Sequence, residues 1–153
     1  MFDEILGLPA HPLIVHAAVI FAPLLAVLAA VYGLAPRTRA ALGWAVTTLA
    51  VIAPVTVLAA RQSGEALKDG RFASVDGQLG QRLADHQSFA VPLLLSTLAL
   101  GAVSLGLVYV SRGDRFGRPV GTAVSALTVV LALVAGYYAL RAGHTGATAV
   151  WGS

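Results

Sequence analysis

Of the 153 residues, 58% are hydrophobic and only 11% are charged, whereas a soluble domain carries about a quarter charged residues. This excludes an ordinary water-soluble domain and fits one membrane domain, residues 1–153. The formal charge is +3 and the basic residues sit in short loops, so no nucleic-acid partner is expected. The chain has no cysteine, which rules out disulfides, thiolate metal sites and thioether-bound haem; any cofactor must be held by histidine, carboxylate or another non-thiol group.

The N-terminus, Met1-Phe2-Asp3-Glu4, is acidic where a secretory signal is basic, so the first apolar stretch reads as a retained span. Four stretches, Leu13 to Leu34, Ala41 to Ala60, Phe89 to Val110 and Val120 to Leu140, each run about 20 residues, enough for a helix to cross a hydrocarbon core of roughly 30 Å. The connections Pro36 to Ala40 and Ser111 to Pro119 are short, and Arg61 to Gln87 is long. The expected fold is an all-α integral membrane four-helix bundle, up-down-up-down, with short cytoplasmic loops and a longer outer connector.

Orientation follows from the basic residues. The short loops concentrate Arg37, Arg39, Arg112, Arg115 and Arg118 against Asp114, which assigns them to the cytoplasm and both termini to the outside of the bacterial cytoplasmic membrane. Arg61, Lys68, Arg71, Arg82 and Arg141 match that number on the other side, but they are spread through a long connector and the termini. Pro23, Pro54 and Pro92 are expected to permit kinks. Small residues such as Gly101, Ser104, Gly106, Gly121 and Ser125 suit close helix packing. The two hairpins share a layout, each opening outside with a histidine, but helices 2 and 4 show no convincing repeat.

All four histidines, His11, His16, His86 and His144, fall on one side of this topology. Pro12 suits a first helical position, placing His11 near the N-cap and His16 about one turn deeper. A spacing of five turns the two rings roughly 140° apart, so they look toward different neighbours. His16 lies inside the hydrocarbon boundary and is expected to face the bundle interior. His86 follows Asp85, a possible orienting carboxylate. His144 is flanked by Gly143 and Gly146, whose bareness suits a planar cofactor, although Gly143 also fits a helix C-cap. Arg141 suits a haem propionate, and Glu65 a metal or an imidazole N–H. Each of these residues also has a plain structural reading, as a polar bridge or an interfacial charge. Tyr137, Tyr138 and Trp151 are explained by an aromatic belt.

The segments "GLPAHPLIVH", "SGEALKDG", "DH" and "GHTGATAVW" together resemble the bacterial membrane family of domain of unknown function 2231 over nearly the whole chain. The paired-histidine opening and the glycine-histidine ending are the most specific pieces. The resemblance implies a four-helix membrane protein, with His11, His16, His86, His144 and Glu65 as motif positions. Relatives fused to Rieske or cytochrome c modules imply electron transfer.

The leading expectation is a membrane haem b, cytochrome b-like electron-transfer protein. Its iron is expected between His16 and either His86 or His144, and a redox partner protein on the outer side. This makes it an electron carrier or subunit rather than a stand-alone enzyme, with no catalytic residue assigned. One alternative is a copper or zinc site built from His11, His16, His86 and His144 with Glu65. The other is a non-catalytic subunit, packed as a homo-oligomer or within a larger membrane complex.

Overall fold

The computed structural model describes residues 4–5, 8–113 and 116–151. A two-residue antiparallel ladder, β1 (Glu4–Ile5) with β2 (Leu8–Pro9), precedes the helices. Then come α1 (Ala10–Leu34), a 3₁₀ turn (Pro36–Thr38), α2 (Arg39–Arg71), α3 (Gly77–Ser88), α4 (Ala90–Ser111) and α5 (Gly117–Trp151). Four helical segments, with α3 and α4 running on as one, are long and apolar enough to cross a membrane. In hydrocarbon every backbone N–H and C=O must be satisfied within the chain, so such segments form helices.

Two helices run beyond the expected spans. The 33 residues of α2 and the 35 of α5 reach about 50 Å at 1.5 Å per residue, well over the ~30 Å that a hydrocarbon core requires. The segment expected to be a connector is therefore mostly helix, formed by the end of α2 and by α3. Only Phe72 to Asp76 separate the two. Gly143 is likewise no C-cap, because α5 continues to Trp151. Pro92 is the third residue of α4, just after the break between α3 and α4 at Phe89, a place where a helix start tolerates a residue without an N–H. Pro23 and Pro54 lie in helix interiors.

Around the bundle the order is α1, α2, α4, α5, with α1 and α4 facing across one diagonal. The centre is built largely of alanine: Ala26, Ala29, Ala50, Ala53, Ala132 and Ala135 pack with Leu25, Leu49 and Leu100. Lipid is as apolar as these side chains, so the association energy comes from close packing rather than from escape from water.

The burial pattern reveals a repeat that residue identity hides. Shifting α1 by 75 positions (86 minus 11) places buried Ala22, Leu25, Ala26, Ala29, Tyr32 and Gly33 on buried Thr97, Leu100, Gly101, Ser104, Leu107 and Val108 of α4. Shifting α2 by 82 positions (146 minus 64) places buried Val46, Ala50 and Ala53 on Thr128, Ala132 and Ala135, the three buried residues of α5. The molecule is thus two hairpins, α1–α2 and α4–α5, related by a pseudo-twofold along the bundle.

One contact shows how close the halves come. Pro54 has no N–H to give the Ala50 carbonyl one turn earlier, and Gly101 of α4 lies against that freed oxygen. A Cβ at Gly101 would stand 2.5 Å from the Ala50 oxygen and 3.4 Å from Pro54 Cγ. The twofold mate of the Gly101–Pro54 contact is Ala26 with Gly136, where a Cβ on Gly136 would stand a relaxed 3.9 Å from Ala26 Cβ.

Candidate functional site

Two of the histidines, His11 and His86, occupy equivalent positions in the two halves. His11, in the first turn of α1, reaches α2: its Nδ1 lies 3.0 Å from the Ala60 carbonyl and 3.1 Å from Ser63 Oγ. His86, in the last turn of α3, reaches α5: its Nδ1 is 3.2 Å from Thr145 Oγ1, with the Ala142 carbonyl also in reach. Ala60, Ser63 and Gly64 correspond to Ala142, Thr145 and Gly146 under the 82-residue shift.

The hydroxyls determine which ring nitrogen carries the proton. Ser63 Oγ donates to the Ala60 carbonyl at 3.0 Å. Thr145 Oγ1 donates to the carbonyls of Arg141 at 2.9 Å and Ala142 at 3.2 Å. With its proton so committed, each hydroxyl faces the imidazole with a lone pair, so Nδ1–H is the donor in both rings. The neutral ring then presents an unprotonated Nε2, the nitrogen able to bind a metal, while the Nδ1–H bond fixes its orientation.

Glycine makes room for each ring. A Cβ at Gly64 would lie 3.1 Å from His11 Cε1 and 3.3 Å from Nδ1; a Cβ at Gly146 would lie 3.1 Å and 3.3 Å from the same atoms of His86. Gly146 was expected to clear space beside His144, but it clears it for His86. Both rings are part-buried.

The other expected site residues lie elsewhere. His16 is exposed and turned away from the interior, its Nδ1 bonded to the Pro12 carbonyl of its own helix. Rotation about the helix axis, which depth cannot specify, determines this outward face. The 140° between His11 and His16 sends one ring to α2 and the other outward. His144 is also exposed. Glu65 is exposed and ion-paired with Arg61 at 2.9 Å. Asp85 does not orient His86; Thr145 does. Arg141 lies over the Phe89 ring at 5.0 Å, beside the His86 clasp. The structure therefore does not gather His11, His16, His86, His144 and Glu65 into one centre. Among the described residues no group of three or more His, Cys, Asp or Glu side chains could hold a metal ion.

Ser63, Gly64 and Thr145 escape a reading that looks for ligands. Their signal was present as a repeated pattern, Ala60-Arg61-Gln62-Ser63-Gly64 and Ala142-Gly143-His144-Thr145-Gly146, or Ala-x-x-Ser/Thr-Gly. No protein-family profile, curated protein or solved structure matches this chain.

Proposed function

We propose that the protein is an electron carrier of the bacterial cytoplasmic membrane, a cytochrome b-like bundle whose haem b iron is ligated by His11 and His86. The observation that carries this reading is the matched pair of clasps, each holding an imidazole by Nδ1–H and leaving Nε2 without a hydrogen-bond partner among the described residues. Ligand number favours haem over a bare ion. A porphyrin supplies four nitrogens and asks two side chains of the protein, whereas zinc or copper takes three or four protein ligands. Haem supplies one-electron chemistry when bound. His11 opens α1, and His86 lies in the last turn of α3, which runs on into α4, the helix diagonal to α1; bundles present ligands to a shared interior site from such opposed helices. Ser63, Thr145 and the carbonyls of Ala60 and Ala142 fix the rings and raise their basicity. Arg141, exposed and over the Phe89 ring, would be the partner for a propionate.

The arginine-rich short loops support an inward-facing end, with the histidine end and both termini outside, where a redox partner protein would dock. The competing reading, a colourless structural subunit, has one observation in its favour: each clasp ties a helix to its own hairpin partner, as a purely mechanical fastener would.

Absorption spectra of detergent-purified protein, expressed with haem precursor and reduced with dithionite, decide between them. The expected result is a Soret band with sharp α and β bands on reduction, lost in His11→Ala and in His86→Ala and kept in His16→Ala and His144→Ala. Colourless protein, or bands that survive loss of either clasp histidine, would overturn the haem reading.

A further inference from the structure

We infer that the cleft at the short-loop end binds the phosphate of an anionic phospholipid headgroup. The cleft has a volume of about 390 Å³, and its lining includes Tyr32, Arg39, Gly43, Trp44, Ser111 and Arg112. Arg39 is held rigidly: Nε donates to the Tyr32 carbonyl at 3.1 Å, Nη2 donates to Ser125 Oγ at 2.9 Å and to the Gly33 carbonyl at 3.4 Å, and the guanidinium lies 5.6 Å from the Tyr32 ring centre. These bonds leave Nη1 without a protein partner among the described residues. The Arg112 side chain has no hydrogen bond or ion pair there either, and the Ser111 hydroxyl is buried and unpartnered.

Two guanidinium groups and an unfilled hydroxyl are the donors that phosphate oxygens take, and arginine suits them by its planar fork. The lipid source follows from the cleft's position. Trp44 is 72% exposed on its wall, and an outward indole near a helix end sits at headgroup depth. Basic pockets between transmembrane helices at that depth hold acidic headgroups. The bundle architecture does not demand this charge: the twofold-related positions of Tyr32, Arg39, Gly43 and Trp44 are Leu107, Gly121, Ser125 and Ala126. The inference is independent of the haem reading, which concerns the opposite end.

The test uses full-length protein in detergent with Trp151→Phe, so that Trp44 is the single indole. It is titrated with phosphatidylglycerol or phosphatidylcholine carrying brominated chains, and fluorescence quenching is recorded. Phosphatidylglycerol is expected to quench at a concentration at least about fivefold lower, the preference for a net-anionic over a net-neutral headgroup expected from one uncommitted arginine, Arg112. Arg112→Gln should abolish that preference while leaving the thermal midpoint unchanged. Ser111→Ala, which removes only an unpartnered hydroxyl, should reduce it and provides a second route if Arg112→Gln unfolds. Equal quenching by the two lipids, or a preference that survives both substitutions, would overturn the inference. So would displacement of phosphatidylglycerol by millimolar inorganic phosphate, which would make this a free-phosphate site.

Discussion

The two halves of the molecule share a register but differ in what they add to it. Both hairpins carry the histidine, the hydroxyl and the glycine at equivalent positions; α1 and α4 bury the same face, and α5 buries the central part of the face that α2 buries. Only the first adds Arg39 and Trp44 at the opposite end, and only α4 of the second comes into near-contact with a freed carbonyl. Features kept in both halves serve something common to them; features present once mark a task assigned to one corner.

Substitutions applied in twofold-related pairs break or sharpen that comparison. The largest effect is expected at the clasps: His11→Ala and His86→Ala should each remove the whole reduced α-band, and a half-sized loss from one of them would show that the halves act separately. Next comes helix approach. Gly101→Ala drives a methyl to 2.5 Å from the Ala50 oxygen and should cost about 2–3 kcal/mol. Ala26→Gly at its twofold mate should cost only about 1 kcal/mol, both read from unfolding in mixed micelles. Gly64→Ala and Gly146→Ala each push a Cβ to 3.1 Å from an imidazole carbon. They should cost about 1–2 kcal/mol apiece, equally in the two halves, with a shift in the haem bands. The smallest difference is between Ser63→Ala and Thr145→Val. Each removes an acceptor of a histidine N–H, worth about 1 kcal/mol. Ser63 is 1% exposed and Thr145 only part-buried, so the thermal midpoint should fall further for Ser63→Ala.

The four apolar segments and their up-down order were legible because uncharged runs of this length have one stable form in lipid. The helical continuation of α2 through Arg61, Glu65, Lys68 and Arg71 was not. Hydropathy marks where a helix leaves the hydrocarbon, and charged residues remain helical beyond that point. Arg61 with Glu65 forms an i,i+4 pair that supports such a turn, and Lys68 Nζ donates to Gln87 Oε1 at 2.8 Å, tying the extension to α3. That the histidines share an end was legible from topology. Which of them turn inward depends on rotation about the helix axis, and His16 shows depth to be a poor guide to it. The repeat stayed hidden because packing conserves size and burial rather than identity: Leu25 with Leu100 is obvious, but Val46 with Thr128 becomes visible only from their common burial.

The short Phe72–Asp76 link has a consequence for how the protein is made. Each hairpin closes its own clasp, His11 on α2 or His86 on α5, using residues from one side of that link alone. The first pair of spans can therefore enter the bilayer and lock before the second leaves the ribosome, with the Gly101–Ala50 contact formed last. A gene cut between residues 72 and 76 should then yield two polypeptides that co-purify when expressed together. Failure of the halves to reunite would show that the covalent link, and not the fit of α1 against α5 and of α2 against α4, holds the bundle in register.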